Sequence, residues 1–109
     1  MVQDTLRLIL VTAPDVDVGR KLARSILEAR LAACVNIIPG LESHYWWQGK
    51  LDQSAEVLLL IKTIKPKLKA LQKLILAKHP YDTPEFVAIP ANRVAEKYMA
   101  WVRDSLKEP

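Results

Sequence analysis

Apolar and polar positions along this chain follow two rhythms, one of period two and one of three to four. From Leu6 to Thr12 the pattern is strand-like, with Leu6, Leu8 and Leu10 on one side and Ile9 and Val11 on the other. Both faces are apolar, which predicts a central strand. Ala13-Pro14-Asp15 interrupts it, and Asp15 is placed to cap a following helix. There Val18, Leu22, Ile26, Ala29 and Ala33 recur at steps of three and four, with Ala23 and Leu27 beside them, so the helix is expected to run to about Ala32. Arg20, Lys21, Arg24 and Glu28 lie off that stripe, and Gly19 weakens its first turn.

Helical spacing is absent from Ala33 to Gln48. This arm, a turn at Gly49-Lys50 and the apolar run Val57 to Ile61 read as one very long β-hairpin. Fully extended, the first arm would reach roughly 50 Å, whereas a domain of this size has a radius of gyration of about 13 Å. The arm is therefore expected to bend and to project. Pro39 cannot donate to a ladder and Gly40 accepts a positive φ, so a kink or bulge is expected there. Beyond it, Leu41, Ser43, Tyr45 and Trp47 share one face and Glu42, His44, Trp46 and Gln48 the other. On the return, Val57, Leu59 and Ile61 oppose Glu56, Leu58, Leu60 and Lys62.

Pro66 suits the first turn of a second helix, with Leu68, Leu71, Leu74 and Ile75 as its buried stripe. That helix should stop at His79-Pro80, because a residue before proline avoids the α region. His79 to Pro84 forms a stiff loop, Glu85 to Ile89 a last strand, and a third helix is expected from about Asn92 with Val94, Tyr98, Trp101, Val102 and Leu106 on its apolar edge. The order βαββαβ plus a terminal helix predicts a single α+β domain over residues 1–109. Its arrangement is ferredoxin-like, with both helices on one face of an antiparallel sheet. The other face would be bare and apolar. The terminal helix should cover part of it and a neighbouring subunit the rest.

Composition narrows the classes. The 109 residues carry a net charge of +4, with basic residues concentrated between Lys62 and Lys78. That excess reads as a solvated face, since no nucleic-acid-binding motif is present, and no nucleic-acid partner is expected. Three glycines leave no room for a P-loop or dinucleotide fingerprint, and the HExxH and GxSxG motifs are absent. One cysteine, Cys34, excludes a disulfide framework within the chain. The start lacks the features of a signal peptide and no apolar run is long enough to span a bilayer, so the expected setting is cytoplasmic, without a membrane partner.

Several blocks carry a family resemblance: Thr12-Ala13-Pro14, Leu31 to Leu51 (LAACVNIIPGLESHYWWQGKL), Glu56 to Thr63 (EVLLLIKT), His79 to Glu85 (HPYDTPE) and Trp101-Val102. In this order and spacing they resemble the CutA family of divalent-cation tolerance proteins, from about Leu6 to Val102. The resemblance implies a ferredoxin-like fold assembled as a tight homotrimer, with the long hairpins wrapping across subunits. It also implies a role linked to copper and other divalent metals, without an established reaction. Some family members place a cysteine just before Thr-Ala-Pro and a second histidine before the HPY block; this chain has Val11 and Lys78 there.

For chemistry, His79 and Glu85 are the candidate metal ligands. An imidazole and a carboxylate suit Cu(II) or another divalent cation such as Zn(II), with a third ligand supplied by water or a neighbouring subunit. The competing role for His79 is structural, capping helix carbonyls and bonding within its loop. Cys34 reads as a small hydrophobe in a strand. Glu42-His44 reads as a solvated or subunit-facing pair, Tyr45, Trp46 and Trp47 as hairpin packing, and Glu56, Lys62 and Asp82 as charges near the sheet ends. Catalysis by Asp82 and Glu85 has no support from spacing. The primary expectation is thus a non-enzymatic, homotrimeric protein that binds divalent metal, chiefly copper. Two alternatives stand beside it: a PII-like regulatory trimer with a small ligand in its subunit clefts, and a scaffold that anchors other proteins.

Overall fold

The computed structural model describes residues 5–107. Leu6–Ala13 forms β1, Val16–Glu28 α1, Cys34–Trp47 β2, Lys50–Ile64 β3, Leu68–Lys78 α2, Val87–Pro90 β4 and Glu96–Ser105 α3. The strands make one antiparallel sheet in the order β2-β3-β1-β4. This is the ferredoxin-like α+β arrangement, and β1 is central as its two apolar faces require.

Register explains the two faces. Ile9 pairs with Ile61 and Val11 with Leu59. Both pairs are buried under Leu22 and Ile26 of α1 and Leu71 and Ile75 of α2. Gly19 faces β3, where a β-carbon would meet Val57 Cγ2 at 3.4 Å and Leu59 Cδ1 at 3.5 Å, ordinary contact distances. Alternate residues point to the other face, where Leu8, Leu10, Leu58 and Leu60 are only half-buried and Ile38, Val87 and Ile89 are exposed. Helix α3 covers one end of this face, where Met99, Val102 and Leu106 pack with Leu6 and Ile64.

Helix α1 begins as expected, with the Asp15 carboxylate accepting from Val18 N–H at 2.8 Å. It ends earlier than the apolar spacing suggests. Arg30 adopts φ 57°, Arg30 N–H donates to Leu27 O and Leu31 N–H to Ile26 O, which together form a Schellman stop. The signal is hidden because arginine, not glycine, holds the left-handed position; its guanidinium is tied to Ser105 O at 2.9 Å. Other boundaries shift too. A 3₁₀ turn over Lys65–Lys67 carries Pro66 ahead of α2. Glu85 lies before β4, and α3 starts at Glu96 rather than Asn92. On α3, Met99 is buried while Tyr98 and Trp101 face outward with ring centroids 5.5 Å apart.

The hairpin turns at Gln48-Gly49, with φ 51° and 78°, and Trp47 pairs with Lys50. Two consecutive positive φ values make the two-residue turn whose twist matches the strands. The turn thus sits one residue earlier than the sequence reading placed it. At Pro39-Gly40 the register breaks between Ile38–Leu58 and Leu41–Glu56, so two residues oppose Val57. This is the expected bulge. It has a consequence for side-chain direction: odd-numbered residues of β2 point under the helices before it and to the open face after it. The hairpin extends the molecule to 48 × 28 × 23 Å with a radius of gyration of 14.7 Å.

Candidate functional site

Beyond the bulge, Tyr45 and Trp47 share the open face with Asp52, Ser54 and Glu56 of β3. The loop from Pro80 to Phe86 comes over the same end of the sheet. Between the two lies a cleft of about 890 Å³, bordered by Glu42, His44, Asp52, Glu56, Asp82 and Glu85 and walled by Tyr45, Trp47 and Tyr81.

His79 does not border this cleft. It ends α2, is 7% exposed, and uses both ring nitrogens: Nε2 lies 2.8 Å from Thr12 O, and Nδ1 accepts from Tyr81 N–H at 3.1 Å. A carbonyl can only accept and a backbone N–H can only donate, so the proton sits on Nε2 and the lone pair of Nδ1 is taken. To ligate a metal, His79 would have to give up one of these bonds. Their effect is to pin the loop to β1 and to set Tyr81 beside the imidazole, ring centroids 4.7 Å apart.

Tyr81 so held donates its hydroxyl to Glu56 Oε2 at 2.7 Å. Burial, then the bond to Glu56 and that residue's charge, raise the Tyr81 hydroxyl far above the ordinary tyrosine range, so it is a permanent donor. Glu56 is 9% exposed, the most buried carboxylate of the site. Glu85 stands at the exposed rim. Partial burial by its neighbours, and secondarily the Glu56 charge, raise its carboxyl above the ordinary 4.5. Among the described residues no hydrogen bond or ion pair joins His79 to Glu85, and no three histidine, cysteine or acidic side chains converge as a preformed metal cage.

The remaining candidates fall elsewhere. Glu42 and His44 do meet, Oε2 to Nε2 at 2.7 Å, on an exposed stretch of the hairpin. Cys34 is half-buried on the open face beside Lys62, whose ammonium also bonds Asn36. Sequence reasoning treated Glu56 as a charge near a sheet end and did not single out Tyr81. Glu56 reaches the open face by the alternation of β3, but the loop that brings Tyr81 to it lies 25 residues on, and spacing alone carries no such long-range signal.

An antiparallel βαββαβ sheet with an overlong bulged hairpin and a loop pinned by a buried histidine defines a ferredoxin-like domain of a narrow class. Residues 7–105 match the family model described as CutA1 divalent ion tolerance protein. The chain is 46% identical over 99 residues to the divalent-cation tolerance protein CutA of Pectobacterium atrosepticum, covering 91% of this chain and 90% of that one. It is 47% identical over 100 residues to the chloroplastic protein CutA 1 of rice, covering 92% of this chain. The chain spans 56% of that rice protein's length and 54% of the chloroplastic CutA of Arabidopsis thaliana. The crystal structure of CutA1 from Oryza sativa superposes with a TM-score of 0.91 at 45% identity, covering 96% of each chain. The chain belongs to the CutA1 divalent ion tolerance family.

Proposed function

We propose that the protein is a non-enzymatic, homotrimeric binder of divalent cations, Cu(II) foremost, that serves cation tolerance in the cytoplasm. One observation carries the metal reading: Glu56 and Glu85 border one cleft with no lysine or arginine paired to either among the described residues, and the Glu85 carboxyl is raised by partial burial and secondarily by the Glu56 charge. A divalent ion relieves that repulsion, with water or a second copy completing its ligands. Glu85 is the expected ligand, and His79 acts by holding the loop that carries it. The trimer is supported by the exposed open face and hairpin, where Trp46 and Leu51 are each 71% exposed. A monomer seldom leaves such surface to water.

The test is calorimetric titration of Cu(II) into the untagged protein, into Glu85→Gln and into His79→Ala. Saturable binding that Glu85→Gln abolishes supports the reading. Binding unchanged in Glu85→Gln, or none in the wild-type protein, overturns it.

A further inference from the structure

The helical layer carries a second concavity, on the opposite side of the sheet from the open face assigned to further copies of the chain. It is a groove of about 560 Å³ that follows α1 and ends against the last residue of α2 and the start of the loop. Val18, Lys21, Ser25 and Glu28 recur at steps of three and four, so one face of α1 lines it along about 15 Å. Lys78 and Pro80 close one end. Among the described residues no strand residue borders it.

The charges of the groove do not balance. Arg24 pairs with Glu28 at 3.4 Å, and Arg20, outside the groove, pairs with Asp17 at 3.6 Å. Lys21 and Lys78 form no ion pair among the described residues. Helix α2 has no carboxylate to offer: from Val57 to Tyr81 the chain carries six lysines and no acidic residue. Lys65, Lys69 and Lys73 do not border the groove and fit the solvated face expected of this run. Lys21 and Lys78 differ, because two cations from separate elements border one concavity beside the apolar Val18 and Pro80.

That combination selects the occupant. Both lysines are exposed, so each pairs only weakly with an anion that also has water. A small free anion gains little there. A chain that brings two carboxylates and an apolar side chain together adds the weak contacts within one molecule. An extended segment of four or five residues, at about 3.3 Å each, matches the groove's length. A nucleic acid fits poorly, since the groove has no aromatic ring to stack a base and Glu28 stands in its wall.

We propose that this groove docks an extended acidic segment of a partner protein. Its carboxylates pair with Lys21 and Lys78, and an apolar side chain between them rests on Val18 and Pro80. The contact needs no metal, so it is independent of the copper reading.

The probe is a fluorescein-labelled pentapeptide with two acidic residues on each side of a leucine, titrated with the full protein in EDTA and read by fluorescence anisotropy. It should bind saturably with a Kd of about 10–500 μM, and more weakly as salt rises. A lysine-flanked counterpart should not bind, and replacing the leucine by glycine should cost at least about threefold. Charge reversal at Lys21→Glu with Lys78→Glu should weaken binding at least about tenfold. The same reversal at Lys69→Glu with Lys73→Glu, off the groove, should leave it within about twofold. Should the first pair fail to fold, Lys21→Gln with Lys78→Gln tests the same charges, with a loss of about threefold. No saturable binding up to about 1 mM overturns the proposal. So does an equal loss from both reversed pairs, or a single-stranded oligonucleotide of matched charge that binds as tightly as the peptide.

Discussion

An imidazole with both nitrogens engaged is a structural bolt, and His79 shows what such a bolt secures. It joins Thr12 of β1 to Tyr81 of the loop, and through Tyr81 to Glu56. His79→Ala leaves the partly buried Thr12 carbonyl without its donor and opens a cavity, and should lower unfolding free energy in urea by about 2–4 kcal/mol. A loss under about 0.5 kcal/mol would show that the loop holds without it. Glu85 gives a pH signature of opposite kind to a salt-bridged carboxylate. The folded protein holds the Glu85 proton more tightly than an unfolded chain with the ordinary 4.5, so protonation favours folding. Its contribution is full below 4.5 and is lost as pH rises through the folded value. Glu85→Gln should therefore melt higher than wild type at pH 7, with the gain shrinking as pH falls towards 4; a constant offset would refute the linkage. The residue types of this site were visible in HPYDTPE, but their partners were not. His79 bonds a residue 67 positions away and Tyr81 one 25 away, and neither separation leaves a local pattern.

At the scale of elements, stops and bends matter more than apolar runs. Strands β1 and β3 and the helices were legible because they bury residues in period two or 3.6, and both the Asp15 cap and the Pro39-Gly40 bulge follow from local chemistry. The end of α1 was not, since Arg30 occupies a left-handed position with no glycine to announce it. The arginine offsets its backbone penalty by bonding Ser105 O, so a helix end and the terminal helix are linked. Arg30→Ala loses the bond and keeps the penalty; Arg30→Gly loses the bond and removes it. The glycine variant should be more stable than the alanine variant by about 1–2 kcal/mol in matched urea titrations. Equal midpoints would mean that the helix end relaxes to another conformation. On the apolar edge of α3, Val94, Val102 and Leu106 pack as expected, but Tyr98 and Trp101 do not. Both face outward, and Met99, which the apolar edge did not include, fits against Leu6 beside Val102.

The whole molecule carries more apolar surface than its own helices cover. Helix α3 seals the Leu6 end of the open face, but Leu8, Leu10, Leu58 and Leu60 stay half-buried, and Val87 and Ile89 on edge strand β4 are 45% and 41% exposed. Beyond them the hairpin carries Trp46, Trp47 and Leu51 into solvent. Covering that surface with further copies of the chain would return about 25 cal/mol for each Å² of apolar area, and would couple folding to association. In the proposed trimer, stability then depends on concentration by mass action. The melting midpoint should fall over about a hundredfold dilution, and light scattering should give three times the chain mass at the upper end. Trp47→Ala, which removes one of the largest exposed side chains, should shift both readings towards monomer. A monomer at every concentration with an unchanged midpoint would reject the assembly. It would leave the apolar face to be explained by a different partner, while the cleft, built wholly within one chain, would keep its carboxylates and its aromatic walls.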